Sequence, residues 1–111
     1  MAAGLKRRAE FLRAAREGRK AAGRNLVLQS LPRGDDAPVR LGFTATKKIG
    51  NAVTRNRAKR RMRAAACAVL PDGAASGHDL VLIARDGTPA CSWPTLLEEL
   101  RAALRRAGVT P

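Results

Sequence analysis

Apolar and polar residues alternate from Val39 to Thr46 (VRLGFTAT), with Val39, Leu41, Phe43 and Ala45 on one side and Arg40, Gly42, Thr44 and Thr46 on the other. A period of two predicts a strand with one face in a core. The second face is small and polar, leaving room for something to lie against the sheet. Asn25 to Leu31 (NLVLQSL) reads as another strand, and PRGDDAP between the two concentrates proline, glycine and aspartate as a turn does. His78 to Arg85 (HDLVLIAR) is apolar on both faces, which predicts a central strand.

Three stretches change to helical spacing. Leu5 to Arg16 carries Leu5, Ala9, Leu12 and Ala15 on one stripe, with Gly18 as its stop and Phe11 beside the stripe. Phe11 has two readings, a packed ring or an exposed stacking platform, and packing is the more ordinary one. From Asn51 to Leu70, the residues Ala58, Met62, Ala65, Ala66 and Val69 fall within an arc of roughly 100°, enough to dock on a sheet. Asn56, Arg57, Lys59, Arg60, Arg61 and Arg63 sweep the other side, with Arg55 at the boundary and Val53 breaking the pattern. Last, Thr95 to Glu98 predicts a capping box for a helix buried through Leu96, Leu97, Leu100, Ala103, Leu104 and Ala107, stapled by Trp93 and closed by Gly108.

The order is helix, two or three strands, basic helix, strand, helix. It predicts an α+β fold, a two-layer α-β sandwich with helices on one small sheet. A chain of 111 residues is a single unit, 1–111. Its apolar fraction is 45% but only 3% is aromatic, so the core is thin and aliphatic.

Charge then narrows the function. Lys plus Arg total 22 against nine acids, a net +13, and Thr46 to Arg63 holds eight cations and no acid. No carboxylate occurs between Asp36 and Asp72. Like charges four apart on a helix, such as Arg57 and Arg61 or Lys59 and Arg63, each cost about 0.2–0.5 kcal/mol. A face kept at that cost points to an anionic partner, and phosphates release condensed counterions when cations replace them. A membrane surface is the main rival, but it asks for bulky apolar residues opposite the cations, where this helix has alanine. Before the helix, Lys47-Lys48-Ile49-Gly50-Asn51 leads a strand through glycine into a helix N-terminus that favours an anion. The nucleotide-binding P-loop pattern is absent.

Cys67, Cys91 and His78 are the only residues of their kinds, so no zinc cluster is expected, and the thiols read as reduced and half-buried. The nine acids are scattered, Asp35 and Asp36 lying in a turn, so no catalytic residue and no protein metal site are expected. No apolar run approaches the ~20 residues of a membrane span. The first twenty residues lack a hydrophobic signal segment, and Glu10 and Glu17 argue against an organelle transit peptide. A cytoplasmic location is expected. Few aromatics disfavour a stacking reader of single strands, and no helix-turn-helix or zipper follows the basic helix, which leaves a structured RNA backbone. A structural RNA-binding protein of ribosomal type and a DNA-compacting basic domain remain the alternatives.

The run from Arg40 to Arg63 resembles the signature of the bacterial ribonuclease P protein component. Arg55, Asn56, Arg57, Lys59 and Arg60 match its hallmark, preceded by Lys47, Lys48, Gly50, Asn51, Ala52 and Val53 at the family spacing. The likeness extends over nearly the whole chain. It implies a fold similar to the second domain of ribosomal protein S5, in order α-β-β-β-α-β-α, with a left-handed crossover where general topology favours a right-handed one. It also implies that a catalytic RNA removes the 5′ leader of precursor tRNA, while the protein binds that RNA and the leader and strengthens Mg2+ binding, the metal being held mainly by RNA. One protein and one RNA are expected to pair. On this resemblance Lys47, Lys48, Asn51, Asn56, Arg57, Lys59, Arg60 and Arg63 bind the RNA subunit. Phe11, Thr44, Thr46 and Arg55 line the leader cleft. The family often adds aromatics to that cleft where this chain has Ala15 and Gln29, which implies weaker or more electrostatic leader contacts.

Overall fold

The computed structural model describes residues 3–109. Its elements run β1 (Ala3–Gly4), α1 (Arg8–Glu17), β2 (Arg19–Ala22), β3 (Leu26–Pro32), β4 (Arg40–Thr44), a 3-10 turn (Lys47–Ile49), α2 (Ala52–Val69), β5 (His78–Ala84) and α3 (Trp93–Arg106). The five strands form one sheet in the order β1-β4-β5-β3-β2. β5 is central, as its two apolar faces predict, and pairs parallel with β4 and antiparallel with β3. The parallel β4 and β5 are joined across α2.

Alternation along the strands sends side chains into two layers. On one face Leu26, Leu28, Leu80 and Leu82 pack with Ala58, Met62, Ala65, Ala66 and Val69 of α2 and with Leu96, Leu100, Ala103 and Leu104 of α3. All five predicted α2 positions are buried there. On the other face Val81 and Ile83 meet Leu5, Phe11 and Ala14. That second layer is thinner, because one short helix covers it.

Three expectations are corrected. The first helix begins at Arg8 rather than Leu5, and its buried residue is Ala14, while Leu12 is 49% exposed and Ala9 and Ala15 face solvent. In an alanine-rich segment the apolar spacing favours a stripe through Leu12, whereas Phe11, packed with Ala14, supplies the contact area. The last helix is capped by Ser92, whose side chain accepts from the Thr95 N–H, so the capping box assigned to Thr95 does not form there. β1 and β2 add to the strands read from the pattern. With two and four residues they are too short to show a period, and tertiary pairing makes them.

Within the predicted PRGDDAP turn, Asp35 accepts hydrogen bonds from Arg33 and from the Ala37 N–H. The Arg33 hydrogen bond, then that of Ala37, holds its carboxyl below the usual range. No described helix is long and apolar enough to cross a membrane.

Candidate nucleic-acid interface

The start of α2 is fixed by its own sequence. Gly50 has φ 143°, a conformation costly for residues with a Cβ. Asn51 caps the helix, its Oδ1 accepting from the Thr54 N–H at 2.9 Å. That oxygen is therefore committed to the fold, leaving the amide donors of Asn51 for a phosphate. Lys47 and Lys48 stand exposed in the preceding turn.

Because α2 seats itself through alanine, methionine and valine, its long cationic side chains are left outside. Asn56, Arg57, Arg60 and Arg63 are exposed and Lys59 is half-buried. Val53, Asn56, Lys59, Arg60 and Arg63, spaced along one side of the helix, line a recess of about 450 Å³. The Arg63 guanidinium also lies 5.1 Å from the centroid of the Phe43 ring, which holds its plane over β4. Among the described residues the ion pairs involve Arg13, Arg16, Arg33 and Arg40, and none involves a cation of the run 47–63. Those arginines engage Glu10, Glu17, Asp35 and Asp79.

Arg61 leaves the predicted cationic face. Its Nη1 donates to the Thr88 carbonyl at 2.7 Å and its Nη2 to the Cys91 carbonyl at 2.5 Å, tying α2 to the turn that leads into α3. Periodicity placed it among the cations because carbonyl partners leave no trace in charge patterning. Val53, conversely, breaks the periodic pattern yet lines the recess, 67% exposed.

The second group of predicted residues is divided by the sheet. Phe11 and Thr44 share the α1 face, both half-buried. The Phe11 ring packs against Gly42, where an added Cβ would come within 2.5 Å of it. The packed reading of Phe11 therefore holds, with part of the residue still accessible. Thr46 lies exposed beyond the end of β4. Arg55 stands in the first turn of α2, the helix on the other face, and its Nε is shielded without a hydrogen-bond partner. Ala15 is exposed and Gln29 half-buried, so neither supplies the missing aromatic surface.

At the starts of β4 and β5 lies a network that the sequence pattern did not reveal. Asp79, 1% exposed, accepts from Nε and Nη2 of Arg40 at 2.8 and 2.7 Å and from Nη1 of Arg33 at 2.7 Å. Burial pushes its carboxyl up, but hydrogen bonds from Arg40 and Arg33 and their charges outweigh that and hold it below the ordinary carboxylate range. Glu10 is likewise held down, first by backbone donors from Arg7 and Lys6 and then by Arg40. The register of β4 and β5 sets Arg40 opposite Asp79, a pairing that no local pattern in the sequence marks.

Comparison with known proteins agrees with this geometry along the whole chain. A family profile described as Ribonuclease P matches residues 2–108. A ribonuclease P protein component of Gluconacetobacter diazotrophicus is 53% identical over 105 residues, spanning 95% of this chain and 90% of that protein. One from Caulobacter vibrioides is 49% identical over 100 residues, 90% of this chain and 67% of its own length. Among solved structures, a Staphylococcus aureus RNase P protein superposes with TM-score 0.82 at 28% identity over 100% of both chains. The Thermotoga maritima RNase P protein gives 0.74 at 29% identity, over 92% of this chain and 94% of that one.

Proposed function

The chain belongs to the ribonuclease P protein family and is a component of that endoribonuclease, and on this premise we propose how its surfaces divide the work. The outer face of α2 docks on the catalytic RNA, and the α1 face of the sheet receives the 5′ leader of precursor tRNA. The observation that carries the reading is the set of cations on and before α2, held out by the fold and without acid partners of their own.

In this reading Asn56, Arg57, Lys59, Arg60 and Arg63 contact phosphates and riboses, and Lys47, Lys48 and the Asn51 amide extend the patch toward the start of the helix. The recess lined by Val53 suits a ribose or base edge flanked by phosphates. Phe11 and Thr44 form the leader surface, with Thr46 just beyond the end of β4; Arg55, on the α2 side of the sheet, stands apart from it. With Ala15 and Gln29 in place of aromatics, the leader is held more by charge than by stacking.

Cleavage itself is assigned to the RNA subunit. The His78 Nδ1–H donates to the Ser76 carbonyl, and Glu10, Asp35 and Asp79 are engaged by arginines. Among the described residues no cluster of three His, Cys, Asp or Glu could hold a metal ion. In this reading Mg2+ is bound mainly by phosphates of the RNA subunit. The protein's contribution is to neutralise phosphates, so that RNA, substrate and metal approach one another more closely. One protein per RNA is sufficient for this division.

The test is reconstitution. The protein is added to bacterial ribonuclease P RNA and precursor tRNA at low magnesium, and 5′ cleavage is followed. Stimulation over RNA alone is expected, and its absence removes the reading.

A further inference from the structure

Glu10 uses its two carboxylate oxygens for different purposes. Oε1 accepts from the Lys6 and Arg7 backbone N–H groups at 3.0 and 2.9 Å, closing the first turn of α1. Oε2 accepts from Nη1 of Arg40 at 2.6 Å. The other two nitrogens of that guanidinium donate to Asp79, which is buried and is held by Arg33 as well. Arg40 therefore joins the beginning of α1 to a rigid point on β5.

The residue after Glu10 is Phe11, and its ring stands over Gly42, two positions along β4 from Arg40 and on the same face. Otherwise α1 is lightly anchored. Ala14 is its one buried residue, and Leu12 projects into solvent. A ring resting on glycine is free to slide, whereas an arginine fork engaged at three oxygens sets direction as well as distance.

We propose that Glu10 and Arg40 are positioning residues for leader recognition: their ion pair across α1 and β4 sets where the Phe11 ring stands, and with it the width of the surface on which the leader lies. This inference rests on the reading of the α1 face as the leader site. Neither side chain has to touch RNA.

The test uses holoenzyme reconstituted from the full chain and ribonuclease P RNA. Glu10→Gln keeps an oxygen for the helix cap but turns an amide toward Arg40. Arg40→Lys keeps the charge but cannot reach Glu10 and both Asp79 oxygens at once. KM and kcat are measured on precursor tRNA with a long leader and with a leader of a single nucleotide, alongside affinity for the RNA subunit.

Each variant is expected to raise KM about fivefold for the long leader alone, the scale of one partly exposed charge-assisted hydrogen bond. No change is expected in kcat or RNA-subunit affinity, and the double variant should be no worse than the worse single one. An equal rise on both substrates, or none on the long one, overturns the inference, as does a fall in melting temperature with leader discrimination intact. If unaltered protein is itself indifferent to leader length, the leader-site reading fails first and takes the inference with it. An unaltered protein that discriminates, beside variants that do so equally well, refutes the inference alone.

Discussion

The Phe11 ring occupies the space that a side chain on Gly42 would need: an added Cβ would lie 2.5 Å from Cε1 and 2.8 Å from Cζ of the ring, and 3.0 Å from Cδ1 of Leu5. A glycine on β4 and a phenylalanine on α1 are thus two halves of one contact. The helix approaches the strand only because nothing projects there.

Gly42→Ala is expected to displace the ring rather than unfold the protein, since the atoms in the way belong to movable side chains. The cost in urea unfolding should be about 1 kcal/mol, at the low end of overpacking. Leader-bearing precursor should bind more weakly to the reconstituted holoenzyme while affinity for the RNA subunit is retained. Unchanged leader affinity would separate Phe11 from the leader site.

Arg57→Ala combined with Arg60→Ala removes two exposed cations that touch no acid of the protein. RNA-subunit affinity should fall, and the log-log dependence of affinity on salt should become shallower by ~1.4, at about 0.7 per lost single-strand phosphate contact. Folding stability should hold or rise slightly. A slope identical to that of the unaltered protein would mean that these arginines do not meet phosphate.

Arg61→Gln should do the reverse. Losing the link to the Thr88 and Cys91 carbonyls is expected to cost about 1–2 kcal/mol of stability, because buried carbonyls lose a charged donor. The salt slope should stay where it was. This pair of experiments distinguishes cations that grip RNA from the one that holds the protein together.

Sulfate or phosphate should raise the melting temperature above that in chloride of equal ionic strength. Anions bound only by the folded patch stabilise it by mass action, by about 2.7 kcal/mol at a hundredfold excess over Kd. Equal melting in matched salts would argue against a preformed anion surface.

Acid should weaken the fold through Asp79. Its folded pKa lies below the ordinary value of 3.8, so its contribution is fully present above about pH 4 and is lost as pH falls through the lower folded value. Asp79→Asn should cost about 2–3 kcal/mol near neutrality, less than the full cost of breaking a buried pair, because Arg40 is 32% exposed and can turn to water. Its stability should then vary less between pH 4 and 2, as measured by chemical unfolding at each pH.

Legibility in the sequence followed how strongly each segment was patterned. The buried face of α2 was readable, since five buried positions at helical spacing leave one orientation open, and β4 and β5 announced themselves through alternation and continuous apolarity. α1 was misjudged because four small or medium apolar residues compete for its stripe, and only the approach to Gly42 decides for Phe11. Arg61 and the Asp79 network were invisible for a common reason: their partners are distant in the chain, and a carbonyl oxygen or an inward carboxylate carries no local signature. The cationic face was legible because it lacked any nearby compensation.

The seating of α2 on small and medium side chains, with Arg57 and Arg60 left exposed on its outer side, has a consequence for variation over time. Residues such as Arg57 and Arg60 can be exchanged, added or lost with little penalty to the scaffold beneath them. The molecule is in effect a durable mount carrying a replaceable glove, and drift in a partner's shape can be followed by the surface without renegotiating the interior.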